Sequence, residues 1–191
     1  MRATADYELM KKVCLLGDPG VGKTSLIRRF VTDIFDDNYV STIGAKITKK
    51  GIAIDIPKRQ LHVDLILMIW DLAGQKEYIA FHEMHMKGME GVLAVADLTR
   101  RNASDSLKGA IGMAGRMSVD VPMVFMLNKA DLAEPSDDEL KDIRKLAAGK
   151  SIPVLATSAK TGLNVEQAFR RLGTMMVEHW AARKFGAIAE G

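Results

Sequence analysis

One eight-residue stretch constrains this chain more than any other. Gly17-Asp-Pro-Gly-Val-Gly22-Lys23-Thr24 stands between an apolar run, Lys12–Gly17, and a helix-compatible run, Gly22–Thr32. Two glycines followed by lysine and threonine at this spacing make a phosphate-binding loop. The glycines let backbone N–H groups curl around phosphate oxygens. The helix that follows presents its positive end to the same atoms. Lys23 is placed to reach the β- and γ-phosphates, and the Thr24 hydroxyl to bind Mg²⁺. Asp18, Gly20, Val21 and Ser25 complete the lining. Pro19 has no N–H to offer, but Gly20 through Thr24 keep theirs. The competing reading is a glycine-rich turn with an exposed lysine.

Such a loop needs a strand before it and a helix after it, and the rest of the chain supplies that alternation. Strands are expected at Lys12–Gly17, Ala45–Ile56, Leu61–Trp70, Gly91–Asp97, Val121–Asn128 and Pro153–Thr157. The last three are continuously apolar, as parallel strands covered on both faces must be. The second and third are joined by Pro57-Lys-Arg-Gln60 and read as a hairpin. Helices are expected at Gly22–Thr32, Lys76–Met86, Ser104–Met117, Asp137–Ala148 and Val165–Lys184. Ser136-Asp-Asp-Glu139 and Asn164-Val-Glu-Gln167 read as capping boxes that start the last two. Phe169, Leu172, Met176 and Trp180 form one apolar stripe along the final helix, read as core. The fold class expected is α/β: a three-layer sandwich of the P-loop NTPase kind, with a six-stranded, mostly parallel sheet and helices on both faces.

Three further segments sit at expected strand ends, where an α/β sheet of this kind presents its ligand crevice. Asn128-Lys-Ala-Asp131 follows the fifth strand. The Asp131 carboxylate can accept from two guanine nitrogens at once, a pair that adenine lacks. Asn128 can bond the imidazole side of the base, and the Lys129 stem can cover the ring. Thr157-Ser158-Ala159-Lys160 follows the sixth strand. There the Ala159 N–H can meet the guanine oxygen, and Lys160 can lie over the base. Asp71-Leu-Ala-Gly74-Gln75 ends the third strand. Asp71 can hold Mg²⁺ through a water, the Gly74 N–H can approach a γ-phosphate, and Gln75 can orient an attacking water. Taken alone, each of these segments also fits an ordinary polar turn.

These elements, in this order, resemble the Ras-like small GTPases, and among them the Rab branch, over about Lys11 to Trp180. Tyr39-Val-Ser-Thr42-Ile-Gly44 looks like the first switch of Rab proteins, and Trp70-Asp-Leu-Ala-Gly-Gln75 like the second. The resemblance implies that Thr42 binds Mg²⁺ through its hydroxyl and the γ-phosphate through its N–H. It also implies that Phe35 packs edge-on to guanine. The expected activity is that of a GTP/GDP switch with slow hydrolysis, catalysed chiefly by Gln75 and Lys23. Its Mg²⁺ would be held by Thr24, Thr42 and Asp71. Effectors, exchange factors and activating proteins would meet it through Asp36–Lys46 and Ala73–Lys87. The alternative is a guanine-nucleotide-binding module with negligible turnover. Pro19 stands where the family usually leaves room for a partner's arginine, and Tyr39 stands where heterotrimeric G-protein α subunits carry one. A P-loop kinase is disfavoured, because no arginine-rich lid insertion is evident.

Composition sets the remaining bounds. The 191 residues are 48% hydrophobic and 27% charged, as expected of a folded domain with a sizeable core. The expected organisation is one domain over 10–184, with an N-terminal extension, 1–9, and a C-terminal tail, 185–191. A net charge of +3 is too small to imply nucleic-acid binding. The single cysteine, Cys14, lies in an apolar run and reads as a buried thiol. No cysteine near the C-terminus is available for prenylation and Arg2 excludes myristoylation. We therefore expect no direct membrane anchor, a cytoplasmic monomer and a prokaryotic-type or otherwise unanchored member of the family. His82 and His85 read as a polar helix face and not as a zinc site. Met84, Met86 and Met89 read as packing or as an adaptable partner surface. Gly109, Gly112 and Gly115 read as close packing, a weak helix or a partner face.

Overall fold

Strand-length apolar runs separated by amphipathic helices leave a chain one economical arrangement, in which the helices cover both faces of one sheet. The computed structural model has this arrangement. It describes residues 5–35, 44–72, 79–117 and 120–186, without the side chains of 79–82. In chain order the elements are β1 (Tyr7–Leu16), α1 (Lys23–Thr32), β2 (Ala45–Ile56), β3 (Leu61–Leu72), α2 (Ile79–Met86), β4 (Gly91–Asp97), α3 (Ala103–Arg116), β5 (Met123–Asn128), α4 (Asp137–Ala148), β6 (Val154–Ala156) and α5 (Val165–Phe185). The strands lie side by side in the order β2-β3-β1-β4-β5-β6. Only β2 and β3 pair antiparallel; every other pairing is parallel.

The side-chain alternation of the central strands divides the interior into two layers. Val13 and Leu15 of β1, Leu93 and Val95 of β4, and Val124 and Met126 of β5 face α1 and α5. There they pack with Leu26, Phe30, Phe169, Leu172 and Met176. Cys14 and Leu16, Val92, Ala94 and Ala96, and Phe125 and Leu127 face the other way. They pack with Met86, Leu107, Ala110 and Ile143 from α2, α3 and α4. Phe30 stacks parallel on Phe169 at 4.0 Å and fixes α1 against α5. The expected stripe of the final helix is therefore core, with Trp180 only partly buried at its end.

Several expectations are corrected. β1 begins at Tyr7, five residues before the expected strand, so residues 7–9 pair within the sheet. Its polar first half pairs in register with the longer β3, from Tyr7 opposite Val63 to Leu15 opposite Asp71. Ladder hydrogen bonds can thus extend a strand beyond its apolar segment. The Ser136 cap is formed, since the Ser136 hydroxyl accepts from the Glu139 N–H at 3.3 Å, while Glu139 Oε1 accepts from the Ala103 N–H at 3.1 Å. The Asn164 cap is not formed. Asn164 adopts a left-handed backbone and its Nδ2 donates instead to the Ala156 carbonyl at 2.8 Å. Met86 and Met89 are buried, which leaves Met84 as the exposed member of that trio. A side chain added at Gly109, Gly112 or Gly115 would meet no described atom within 4 Å, so close packing does not explain these glycines.

Candidate nucleotide-binding site

The phosphate loop sits where β1 stops and α1 starts, and its glycines are required by geometry. At Gly17 a Cβ would lie 2.2 Å from the Val95 carbonyl oxygen; at Gly22 it would lie 2.3 Å from Asn128 Nδ2. Both residues have positive φ, at 148° and 98°, in the region that favours glycine. Gly22 caps α1 with no side-chain bond, so the N–H groups of Lys23, Thr24 and Ser25 in the first turn point out of the helix end. No acidic residue occupies that turn.

Lys23 is almost completely buried, and its Nζ donates to the carbonyls of Gly17 at 2.8 Å and Asp18 at 3.1 Å. Burial pulls its pKa down to about 8 against the pull of Asp71 and Asp18, and Arg100 adds to the depression. The loop therefore holds an ammonium that is costly to bury, and an anion placed there would stabilise its charged form.

Thr24 and Asp71 meet across the loop. The Thr24 hydroxyl donates to Asp71 Oδ2 at 2.5 Å. Asp71 is 3% exposed, and its Oδ1 has no hydrogen-bond partner among the described residues. Burial raises its pKa despite the Thr24 bond and Lys23. A hydroxyl beside a buried carboxylate oxygen lacking a partner is an oxygen donor set suited to a hard divalent cation such as Mg²⁺.

The base-side segments form a second cluster. Asn128 is buried at the end of β5, and both ends of its carboxamide are engaged. Nδ2 donates to the Val21 carbonyl at 2.8 Å, and Oδ1 accepts from the Ala159 N–H at 3.2 Å. The bonds expected to reach a base from Asn128 and from the Ala159 N–H join backbone segments here. Ser158, fully buried, donates its hydroxyl to Asp131 Oδ1 at 2.6 Å and accepts from the Thr161 N–H at 3.1 Å. Asp131 itself is exposed at the mouth of the site, as is Lys160. Phe35 packs against the α1–α5 core layer.

Two contributors escaped the sequence reading. Asp97 ends β4 almost fully buried, and its Oδ2 lies 2.6 Å from Lys129 Nζ and 3.3 Å from Arg100 Nε. Burial alone would raise its pKa. The Lys129 ammonium and two bonds from Thr99 together hold its carboxyl below the usual range. Lys129 has φ 67°, and Asp97 anchors its ammonium. The available signal was a carboxylate closing an otherwise apolar strand. Arg29 of α1 donates to the carbonyls of Ala159 at 2.9 Å and Lys160 at 2.5 Å, pinning that loop to the helix after the phosphate loop. Nothing local in the sequence marks that partnership.

Thr42, Gly74 and Gln75 lie outside the described residues, as do most of Asp36–Lys46 and the first part of Ala73–Lys87. Among the described residues no cluster of three or more histidine, cysteine or acidic side chains forms a metal site. His85 instead packs edge-on to Trp70 at 5.7 Å. No helix of the described residues is long and apolar enough to cross a membrane.

A phosphate loop, a Thr–Asp pair with its carboxylate buried and a guanine-type Asn-Lys-x-Asp turn on one edge of a six-stranded sheet define a P-loop GTPase. The chain belongs to the Ras family, whose model matches residues 12–178. It is 35% identical over 164 residues to Ras-related protein Rab-8 of Diplobatis ommata, covering 85% of this chain and 75% of that one. It is also 35% identical over 160 residues to Ras-related protein Rab-31 of Rattus norvegicus (83% and 79%). Against GTP-binding protein ypt1 of Schizosaccharomyces pombe it is 30% identical over 186 residues (95% and 87%). It is a Ras-like small GTPase near the Rab branch.

Proposed function

We propose that this GTPase binds GTP and GDP with Mg²⁺, hydrolyses GTP slowly and signals its nucleotide state through two switch segments. The observation that carries this reading is the Thr24–Asp71 pair. The pair brings a hydroxyl and a buried carboxylate oxygen, without a hydrogen-bond partner among the described residues, close to the buried Lys23 ammonium.

In this reading the loop N–H groups and Lys23 bind the phosphate chain. Thr24, Asp71 and, from the first switch, Thr42 hold the metal, which supplies charge neutralisation at the β- and γ-oxygens when bound. Asp131, with one oxygen already held by Ser158, accepts from the guanine edge. Asp97 holds the Lys129 stem beside the base, and Phe35 packs against the base edge. Asn128 acts mainly as a brace between the two loops. Gln75 orients water for in-line attack. The Thr42 and Gly74 N–H groups hold Asp36–Lys46 and Ala73–Lys87 in place while a γ-phosphate is present, and release them after hydrolysis. Effectors, exchange factors and activating proteins read those two segments, and the chain acts as a monomer without nucleic acid.

Single-turnover phosphate release from the GTP-loaded protein tests this, with GDP and GTP retention measured with and without EDTA. We expect retention of both nucleotides, faster loss in EDTA and slow release of phosphate. Retention indifferent to EDTA would remove the metal assignment. Retention without phosphate release would leave a binding module.

A further inference from the structure

Side chains alternate along β1, β3 and β2, and one of the two faces they make packs against α1 and α5. Toward the start of β1 the opposite face carries three rows that cross the sheet. Glu8, Asp64 and Ala53 form the first row, and Met10, Ile66 and Gly51 the second. Lys12, Met68 and Lys49 form the third. Neither core layer of the described residues takes in Met10, Ile66 or Met68. Met10 is 51% exposed, and Ile66 and Met68 are partly so. This face is acidic in its first row, apolar in its middle row and basic in its third.

Gly51 stands in the middle row. Glycine weakens a strand, so inside one it marks a bulge or a close approach of another group. The pairing around Gly51 runs unbroken from Ala45 opposite Leu72 to Ile56 opposite Leu61, so no bulge requires it. A Cβ at Gly51 would meet no described atom within 4 Å, so no contact inside the chain requires it either. A bare backbone at this spot lets a group from outside the chain come close. The charges beside it are also unspent. Glu8, Asp64 and Lys49 are exposed. Lys12 is fixed in place, since its Nζ donates to the Lys87 carbonyl at 2.8 Å and stands 3.9 Å over the Trp70 ring. Among the described residues none of these four charges is in an ion pair.

We propose that this face pairs with the same face of a second copy of the chain. The two-fold axis lies midway between the two sheets, under the Met10–Ile66–Gly51 row and perpendicular to the strands. That rotation reverses strand direction and returns the middle row onto itself. It sets Glu8 and Asp64 of each copy against Lys12 and Lys49 of the other, so every ion pair occurs twice, as an isologous contact demands. A two-fold axis along the strands would set acid on acid and base on base, so the charges choose the orientation. An unrelated partner would need the same three rows in reverse order, and the chain already carries them. Each copy keeps its own complete nucleotide site. The single chain therefore remains the switching unit, and pairing brings two such units together.

The test is sedimentation equilibrium of the full chain loaded with GDP. Three short rows make a small contact, so the range to cover is about 10 μM to about 1 mM. The average mass should rise from one chain toward two across it, and should rise less in high salt. Lys49→Glu and Asp64→Lys should each weaken pairing at least about tenfold, because each sets like charges together. An equal mixture of the two variants should pair again, since each supplies the charge that the other lacks. Both changes are at exposed positions away from the nucleotide site, and equal GDP retention will show that both variants are folded. A native chain that keeps the mass of one chain over the whole range overturns the proposal. So does pairing that both reversals leave unchanged, or that their mixture does not restore.

Discussion

Asn128 holds the Val21 carbonyl at 2.8 Å across 107 residues of sequence, so the base-side turn and the phosphate loop share one hydrogen bond. Asn128→Asp removes the donor and sets a carboxylate oxygen against the carbonyl. Leaving that buried carbonyl unpaired should cost about 1–3 kcal/mol. Urea denaturation should show a lower midpoint, and GDP affinity should fall with it. Gly22→Ala should be worse for nucleotide, because its Cβ would meet the same Asn128 nitrogen at 2.3 Å.

Base choice should rest on Asp131 as oriented by Ser158. Asp131→Asn replaces an acceptor with a donor-bearing group and should weaken GTP binding while improving xanthosine triphosphate binding. Ser158→Ala removes the 2.6 Å bond that orients the carboxylate. It should weaken GDP by about five- to tenfold, near 1–1.4 kcal/mol, without changing base preference. Competition binding with both bases separates the two effects.

Hydrolysis should depend on Gln75 and binding on Lys23. Gln75→Leu should retain Mg²⁺–GTP and lose at least about tenfold in turnover, near 1.4 kcal/mol of barrier. Lys23→Ala should lose the nucleotide itself. Phosphate release from Gln75→Leu at the native rate would place water orientation elsewhere.

The β2–β3 hairpin should carry a pH-dependent contribution. His62 Nδ1 lies 2.5 Å from Asp55 Oδ1, and that hydrogen bond raises the histidine pKa, with Asp64 and Asp6 adding to it. The folded state therefore prefers the protonated ring. Its stabilisation is fully present below the unfolded histidine value of about 6.5 and is lost as pH rises through the folded one. Asp55→Asn should return the His62 titration, followed by NMR, toward the ordinary range. No change would show that the pair does not form in solution.

Cys14 should be inert until the protein unfolds. It is buried in β1 with no exposed surface, and burial pushes its thiol up to about 12. A thiol-specific disulfide reagent at pH 8 should react at the rate of unfolding, and immediately in denaturant. Rapid stoichiometric reaction of the native chain would contradict this packing.

The parts of this protein legible in its sequence are those whose physics is local. A glycine-rich turn must bend wherever it is placed, a continuously apolar run must be covered on both faces, and Ser136 caps the helix that begins beside it. The turn of the phosphate loop, β2, β4 and α4 therefore follow from neighbouring residues alone. Other features depend on which elements become neighbours. The polar half of β1 became strand because β3 lay beside it with free ladder groups. Asn164 gave up its cap because the Ala156 carbonyl was within reach of its side chain. Asn128 turned inward to Val21 and Ala159. Asp97 reached Lys129, and Arg29 crossed to the loop after β6. Each of these bonds joins groups separated along the chain, and its partner is chosen by sheet order and helix packing. A linear pattern carries the residue types that make such bonds possible, but only the packed structure decides which pairs are close enough to form them.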